Sequence, residues 1–483
     1  MMFPATIRLR FSPAHIVAIA LALGGGLILF AIGPAGLLLY FVVASLAIAG
    51  LQHPSIPIAA IVVSIPLQSQ LSILIDDRSV TWTKMAVLAA VIAATTRFLI
   101  GNAKIRLTGI AFTFGAFVLV LAASIVNAQD LGAWAGEVYR WSIAFLIYLI
   151  AVEATGDDRF FPIVTTSMAI SVAGASIGGL YQTFAHVGPK TFGAHGLTRA
   201  YSAFGEPNPF AAYLEMSVPL LAAIALACLV PMRSAMAAKR PDQWYVGMLG
   251  VSAAIGSIAL LFSQSRGGLL GFSAAMATVV WLSIQWAKWL VLGGLAVLLL
   301  LTVNPLSEST VRERLVESVG NPTADSQVTT ENWAVQERIA HWRAGIAMWR
   351  DYPFLGVGAG NYSHRFRAET QVWRFRISRG HAHSSYIQAA AQAGATGFAF
   401  YLTLLSVALA TCIRRLRMAP SEVRSVVVGG LGVTIAVIVH GVFDYLHVLS
   451  LGLQLSVVWA MLELARRSKA RRWPRLNAIG SRV

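Results

Sequence analysis

The sequence predicts an all-α, polytopic membrane protein: a bundle of about 12–14 transmembrane helices with one large loop outside the membrane. Two observations support this prediction. Of the 483 residues, 57% are hydrophobic and only 12% are charged, about half the charged fraction of a soluble domain. Apolar runs of roughly 17–25 residues, the length that crosses a bilayer as a helix, recur along the whole chain. We therefore treat residues 1–483 as a single integral membrane domain.

Each predicted span rests on its own apolar run. The third run is short, so that span either is re-entrant or merges with a neighbour. The spans are predicted near 14–31, 34–51, 55–67, 84–101, 108–127, 138–155, 160–184, 209–230, 244–263, 266–283, 286–303, 384–411, 423–440 and 446–464.

The net charge of +16 does not predict nucleic-acid binding, because the basic residues lie mainly in short connections between apolar runs. Basic connections mark the cytoplasmic side of a membrane protein. With both termini in the cytoplasm, a 14-span arrangement places all of these connections there, and it places 185–208, Ser263–Gly268 and 304–383 outside. The basic connections are Arg97–Arg106, Met232–Gln243, Arg414–Arg424 and the tail Arg466–Arg475.

The segment 304–383 is the long extracytoplasmic loop, and it contains arginine but no lysine. Arginine presents a fixed fork of donors that suits phosphate, so at least one of these arginines is predicted to bind phosphate. The alternative is that they pair with the acidic residues of the same loop. The arginines are Arg312, Arg314, Arg338, Arg343, Arg350, Arg365, Arg367, Arg374, Arg376 and Arg379.

Within this loop, Ala334–Arg350 is predicted to form an amphipathic helix, with Arg338 at the edge of its apolar stripe. Such a helix can lie at the membrane surface. The following stretch, Asp351–Asn361, contains a proline and three glycines. It resembles a phosphate-binding glycine loop only weakly, and a simple turn is the better interpretation. The stripe consists of Ile339, Trp342, Ile346 and Trp349.

Two polar clusters stand at predicted membrane boundaries. In Ser263-Gln-Ser-Arg-Gly-Gly268, Arg266 either serves a function or extends towards lipid headgroups. In Gly380-His-Ala-His-Ser-Ser-Tyr386, a histidine is suited to proton transfer near neutral pH, the alternative being helix capping. His381 and His383 also resemble a metal pair, but the sequence shows no third ligand at a recognisable spacing, so no metal and no cofactor are predicted.

A third cluster, Phe204-Gly-Glu-Pro-Asn-Pro-Phe210, forms a rigid entry to a helix and is predicted to position substrate. Glu215 lies deeper in that span, where a carboxylate needs a partner that the sequence does not reveal. His440 and Asp444 either brace the site or pair with each other.

In this order the motifs resemble the O-antigen ligase and polymerase family of bacterial membrane proteins. The resemblance covers about residues 200–400 and fades before 190. One position departs from the family pattern, since Gln392 stands where the family often has Glu. The matching motifs are Asn208-Pro-Phe-Ala-Ala-Tyr-Leu214, Ser265-Arg-Gly-Gly268, Arg338 with Trp342, Pro353-Phe-Leu-Gly-Val-Gly-Ala-Gly-Asn361, and His383-Ser-Ser-Tyr-Ile-Gln388 followed by Gly394 and Gly397.

The resemblance implies a metal-independent glycosyltransferase of the bacterial inner membrane with a periplasmic active site. It moves a glycan from undecaprenyl pyrophosphate to lipid A-core or to another glycan. Arg266 and Arg338 resemble the arginines that hold the donor pyrophosphate, and His383 resembles the histidine near the acceptor hydroxyl; these three are the predicted catalytic residues. Asn208, Arg343 and His381 are predicted to bind substrate beside them. Membrane lipids surround the protein.

Two alternatives stay open at this point. Ligase and polymerase, which differ only in the acceptor, are not separated by these motifs. A transporter or flippase is the alternative from another class; it predicts inverted repeats and ionisable residues near the bilayer midplane. Glu215 fits that description, but the chain shows no internal repeat.

Overall fold

The chain is an all-α polytopic membrane bundle, as the sequence predicts. The computed structural model describes residues 36–68, 72–75, 78–194, 196–229, 243–284, 333–369 and 380–464, with single positions at 24, 289, 375 and 377–378. Within these residues, eight helices are long and apolar enough to cross a membrane. The predicted spans 14–31 and 286–303, the first part of the long loop and the basic tail lie essentially outside the described residues.

The helices are α1 Gly36–Gln52, α2 Ser55–Ser64, α3 Trp82–Leu99, α4 Gly109–Ala123, α5 Leu131–Ala154, α6 Phe160–Phe184, α7 Pro207–Glu215, α8 Val218–Leu229, α9 Gln243–Ser263, α10 Arg266–Ser283, α11 Trp333–Asp351, α12 Tyr362–Glu369, α13 Ser385–Met418, α14 Ser421–His440 and α15 Leu451–Met461. Two short antiparallel hairpins interrupt them. They pair β1 Ser72–Ile75 with β2 Arg78–Thr81, and β3 Gly193–Ala194 with β4 Leu197–Thr198.

Helix α5 begins seven residues before the predicted span at 138–155. The side chain of Asp130 accepts a hydrogen bond from the backbone N–H of Ala133 at 2.9 Å and so caps the helix. The span predicted from hydropathy begins after Glu137, whose charge makes the first turns polar. The earlier start brings Glu137 inside the helix together with Arg140.

The helices alternate in direction, so one end of the bundle collects the ends of α4, α9 and α14 and the starts of α5, α7, α10 and α13. α10 packs against α14, α4 against α13, and α5 against α15. At the opposite end, salt bridges of 2.9 Å join Arg97 to Glu153 and Arg415 to Glu463. Arg97 and Arg415 flank two of the basic connections, so these connections share the end away from the polar clusters.

Helix α11 forms where the sequence predicts it, and the face that packs against the bundle differs from the apolar stripe. Ala340, Ala344 and Met348 are buried, whereas Ile346 of the predicted stripe is 52% exposed. Alanines and a glycine allow the backbone of α11 to approach α13 closely; a Cβ on Gly345 would lie 2.5 Å from Ile387. Size complementarity, rather than the largest apolar side chains, therefore sets the face.

The turn at 351–361 anchors the segment that contains α11 to the bundle. Gly356 has φ +63°, and a Cβ there would lie 2.4 Å from the carbonyl oxygen of Ala391. The side-chain oxygen of Asn361 accepts the backbone N–H of Asp130 at 2.7 Å. The turn thus packs against α13 and the start of α5 together, and it holds the C-terminal end of α11 beside them.

Candidate functional site

His383 is held just before the first turn of α13 by the loop that follows α14. The backbone N–H of Ser385 donates to the carbonyl oxygen of Gly441 at 2.8 Å, and the Ser385 hydroxyl donates to the carbonyl oxygen of Asp444 at 3.1 Å. His383 itself has φ +49°, a conformation that a non-glycine residue adopts only where its surroundings enforce it. The imidazole of His383 is therefore held in place at the cost of local backbone strain.

The imidazole of His383 is oriented by Asp444. Nδ1 of His383 lies 3.3 Å from Oδ1 of Asp444. Because a carboxylate only accepts hydrogen bonds, Nδ1 carries the proton and Nε2 carries the lone pair. Nε2 is buried and has no hydrogen-bond partner among the described residues. This arrangement makes His383 able to take up a proton at Nε2.

Asp444 stays ionised in this setting. Burial alone would raise the pKa of its carboxyl, but the hydrogen bond from His383 and the charges of His383, His381 and His440 together hold that pKa below its ordinary value. Burial, together with the charge of His383, lowers the pKa of neighbouring His381 to about 4. At neutral pH, His381 is therefore uncharged beside a charged carboxylate.

A hydrogen-bonded chain runs from Asp444 to the extramembrane segment before α7. Nδ2 of Asn208 donates to Oδ2 of Asp444 at 2.7 Å. Nη2 of Arg199 donates to Oδ1 of Asn208 at 3.3 Å, and Nε of Arg199 donates to the carbonyl oxygen of Ser263 at 2.8 Å. Asn208 thus connects an arginine to the carboxylate that orients His383.

Arg199 shares its surroundings with the two predicted arginines. Burial lowers the pKa of Arg199, and the positive charges of Arg338 and Arg266 lower it further. Since an arginine stays protonated in proteins, Arg199 lies within electrostatic reach of positive charges on α10 and α11. Arg266 is the first residue of α10, and Trp342, one turn after Arg338, donates from Nε1 to the carbonyl oxygen of His383 at 3.1 Å. Mutual repulsion of this kind favours an anion between the arginines.

Glu215 finds the partner that the sequence does not reveal. Its Oε1 lies 2.8 Å from Nδ1 of His440, and both side chains are almost fully buried. The pair leaves room for nothing larger than glycine on α10: a Cβ on Gly267 would lie 2.6 Å from the His440 ring, and one on Gly271 would lie 2.8 Å from Oε2 of Glu215. The alternative that His440 pairs with Asp444 through its side chain is therefore wrong. The Glu215–His440 pair instead packs against the first turns of α10.

The histidine pair has a third potential metal ligand beside it, which the sequence does not reveal. Ligand atoms of His381, His383 and Asp444 all lie within 4.8 Å of one another, so a third group with ligand chemistry is present. It was invisible in the sequence because Asp444 is 61 residues from His383. These atoms already bond within the protein, however: Nδ1 of His381 accepts the backbone N–H of His383 at 3.3 Å, and Oδ1 of Asp444 accepts that of Tyr445 at 2.8 Å.

Among the other predicted site residues, Arg343 is exposed and lies about 140° around α11 from Arg338. It therefore faces away from the side of the helix that carries Arg338. Sequence reasoning missed Arg199 altogether. A signal was available, since an arginine in a connection predicted to lie outside runs against the usual distribution of basic residues.

Residues 251–402 match the family model described as O-antigen ligase. The match covers less than half of the chain. It contains Arg266, Arg338 and His383, and the family resemblance drawn from the motifs is thereby confirmed. No curated protein matches the chain.

Proposed function

We propose that the chain transfers a glycan from undecaprenyl pyrophosphate to a saccharide acceptor at the periplasmic face of the inner membrane, without a metal ion. The observation that supports this most is the grouping of Arg199, Arg266 and Arg338, connected through Asn208 and Asp444 to the histidine that can accept a proton. An enzyme of the O-antigen ligase type needs both halves of this arrangement: a cationic cradle for the leaving group and a base for the nucleophile.

The chemistry is a single displacement. The acceptor hydroxyl attacks the anomeric carbon and its proton passes to Nε2 of His383, while Asp444 stabilises the imidazolium that forms. The bond between the anomeric carbon and the pyrophosphate oxygen breaks, and the leaving group carries its electron pair and charge towards the arginines. Guanidinium forks in a low-dielectric pocket stabilise this developing charge. The configuration of the anomeric carbon inverts.

Replacing the cradle arginines tests the proposal directly. Arg266→Ala and Arg338→Ala should abolish transfer from a lipid-linked glycan in a purified system, and Arg266→Lys should restore only part of it, because lysine keeps the charge and loses the fork. Arg350→Ala is the matched control, since Arg350 is exposed at the far end of the helix that carries Arg338. Full transfer by both alanine variants would overturn the proposal.

The acceptor decides between ligase and polymerase. Deleting the gene and separating the glycolipids on gels distinguishes them. Loss of polymer on lipid A-core identifies a ligase, and accumulation of single repeat units identifies a polymerase. Arg343, the remaining predicted substrate-binding residue, should affect transfer less than Arg338 does, because it lies on another side of α11.

A further inference from the structure

A fourth arginine, Arg140, lies within electrostatic reach of His381. Arg140 lies on α5, and its charge is among the causes that lower the pKa values of His381 and His447, after burial. The side chain of Arg140 is 44% exposed, although α5 is a candidate membrane span. A partly exposed arginine within such a span is costly unless it is used.

The surroundings of Arg140 fix its position and leave it open to a ligand. Its Nη1 donates to Oε2 of Glu137 at 2.6 Å. The other carboxylate oxygen of Glu137, Oε1, accepts from the Tyr445 hydroxyl at 2.5 Å and from Nε1 of Trp141 at 3.1 Å. Glu137 is therefore saturated from inside the bundle. Within the described residues, Arg140 uses one of its five N–H donors in this way.

The face of α5 beside Arg140 is uncovered in the described part of the chain. Tyr139 is 58% exposed, and a Cβ built on Gly136 meets nothing within 4 Å. Tyr445, which holds Glu137, directly follows Asp444, and its ring lies 5.7 Å from that of His381. The open face is thus connected to the site by a single loop.

We propose that Arg140 and the open face of α5 at Gly136 and Tyr139 form an acceptor subsite that binds an anionic group, a phosphate or carboxylate, on the acceptor glycolipid. This inference rests on the proposed function. In a displacement, nucleophile and leaving group lie on opposite sides of the anomeric carbon. Asn208 links Arg199 to Asp444, whereas Arg140 is linked to the loop that carries Asp444 by Glu137 and Tyr445, so the two sets of arginines reach the site through different residues.

Binding in the absence of donor tests the subsite apart from transfer. The purified protein in phosphatidylcholine nanodiscs is titrated with a bisphosphorylated lipid A disaccharide and with the same lipid after dephosphorylation. The wild type should bind the phosphorylated lipid at least about tenfold more tightly, a difference typical of one added charged hydrogen-bonding group. Glu137→Gln with Arg140→Gln, which removes both charges without leaving a buried acid unpaired, should abolish that preference.

Two further arms separate the explanations. Gly136→Phe fills the open face while keeping both charges of the Glu137–Arg140 pair and should weaken binding of both lipids; Arg350→Gln should change neither. Adding phosphatidylglycerol to the nanodiscs should compete poorly; if it displaces the glycolipid at equal concentration, the site serves bilayer lipid and the proposal is overturned. Equal binding of both lipids by the wild type would also overturn it. Failure of transfer with the preference retained would count against the proposed function alone.

Discussion

Replacing Asp444 by asparagine should slow transfer by weakening the orientation and charge stabilisation of His383. The hydrogen bond between the two side chains spans 3.3 Å. A hydrogen bond to a charged group contributes about 1.5–3 kcal/mol, which corresponds to a decrease in kcat of about ten- to 150-fold. Part of the loss has a geometric cause. Asp444 also accepts from Asn208 and from the backbone of Tyr445, so either orientation of an asparagine amide leaves one donor facing another.

The measurement is kcat and KM for donor and acceptor with purified protein in proteoliposomes, at saturating concentrations of each substrate in turn. We expect kcat to fall while KM for the donor changes little, because the arginines that favour the pyrophosphate remain. The control is Asp157→Asn, at the opposite end of the bundle, where Asp157 accepts from the Ser55 hydroxyl at 2.7 Å. Thermal unfolding of both variants shows whether the fold is retained.

A double variant makes the test specific. If Asp444 acts through His383, then Asp444→Asn combined with His383→Gln should be no slower than His383→Gln alone. A kcat for Asp444→Asn within twofold of the wild type would refute the reasoning. Independent, multiplying effects in the double variant would refute it as well, since they would mean that Asp444 contributes by another route.

Three other predictions follow from the structure. Gly356→Ala should destabilise the protein by about 2–4 kcal/mol through its positive φ and its contact with the α13 backbone, whereas Gly101→Ala, with φ +77° and open space, should cost less; equal shifts in thermal unfolding would contradict this. Burial lowers the pKa of His447 to about 3, whereas the unfolded chain has a histidine pKa of about 6.5. The free energy of unfolding is therefore highest above about pH 6.5, and it falls by about 2 kcal/mol by pH 5 because the unfolded chain binds the proton first. His447→Asn should remove this part of the slope in unfolding scans at the two pH values. Transfer should survive exhaustive chelation with EDTA. Loss of transfer on chelation, with recovery when a divalent ion is added, would contradict this and point to a metal at the His381 cluster.

The helical spans were predictable because crossing a bilayer is a local requirement of length and hydropathy. Every predicted span that falls in the described residues has its helix there. The predicted start of a helix was wrong where a charged residue lies in its first turns. At the start of α5 the capping contact of Asp130 outweighs the polar turns that hydropathy excludes. The packing face of α11 was not predictable from its apolar stripe, since close approach of two backbones favours Ala344 and Gly345 over the large side chains beside them.

The candidate site was predictable in part. Arg266, Arg338 and His383 were identifiable because polar residues at membrane boundaries are costly and are conspicuous in an apolar sequence. Their partners do not stand out in the same way. Arg199 is a single arginine in a connection, and no pattern relates it to Asn208, although one hydrogen bond joins them.

The sequence by itself predicted the membrane bundle, the family resemblance and the candidate histidine and arginines, because each of these depends on local composition or on short motifs. The tertiary structure alone decided the pairings: Asp444 with His383, Glu215 with His440, and Tyr445 with Glu137 beside Arg140. These contacts join residues 61, 225 and 308 positions apart. The physical reason is that a buried charge must find a partner in space, and which partner it finds depends on how the helices pack.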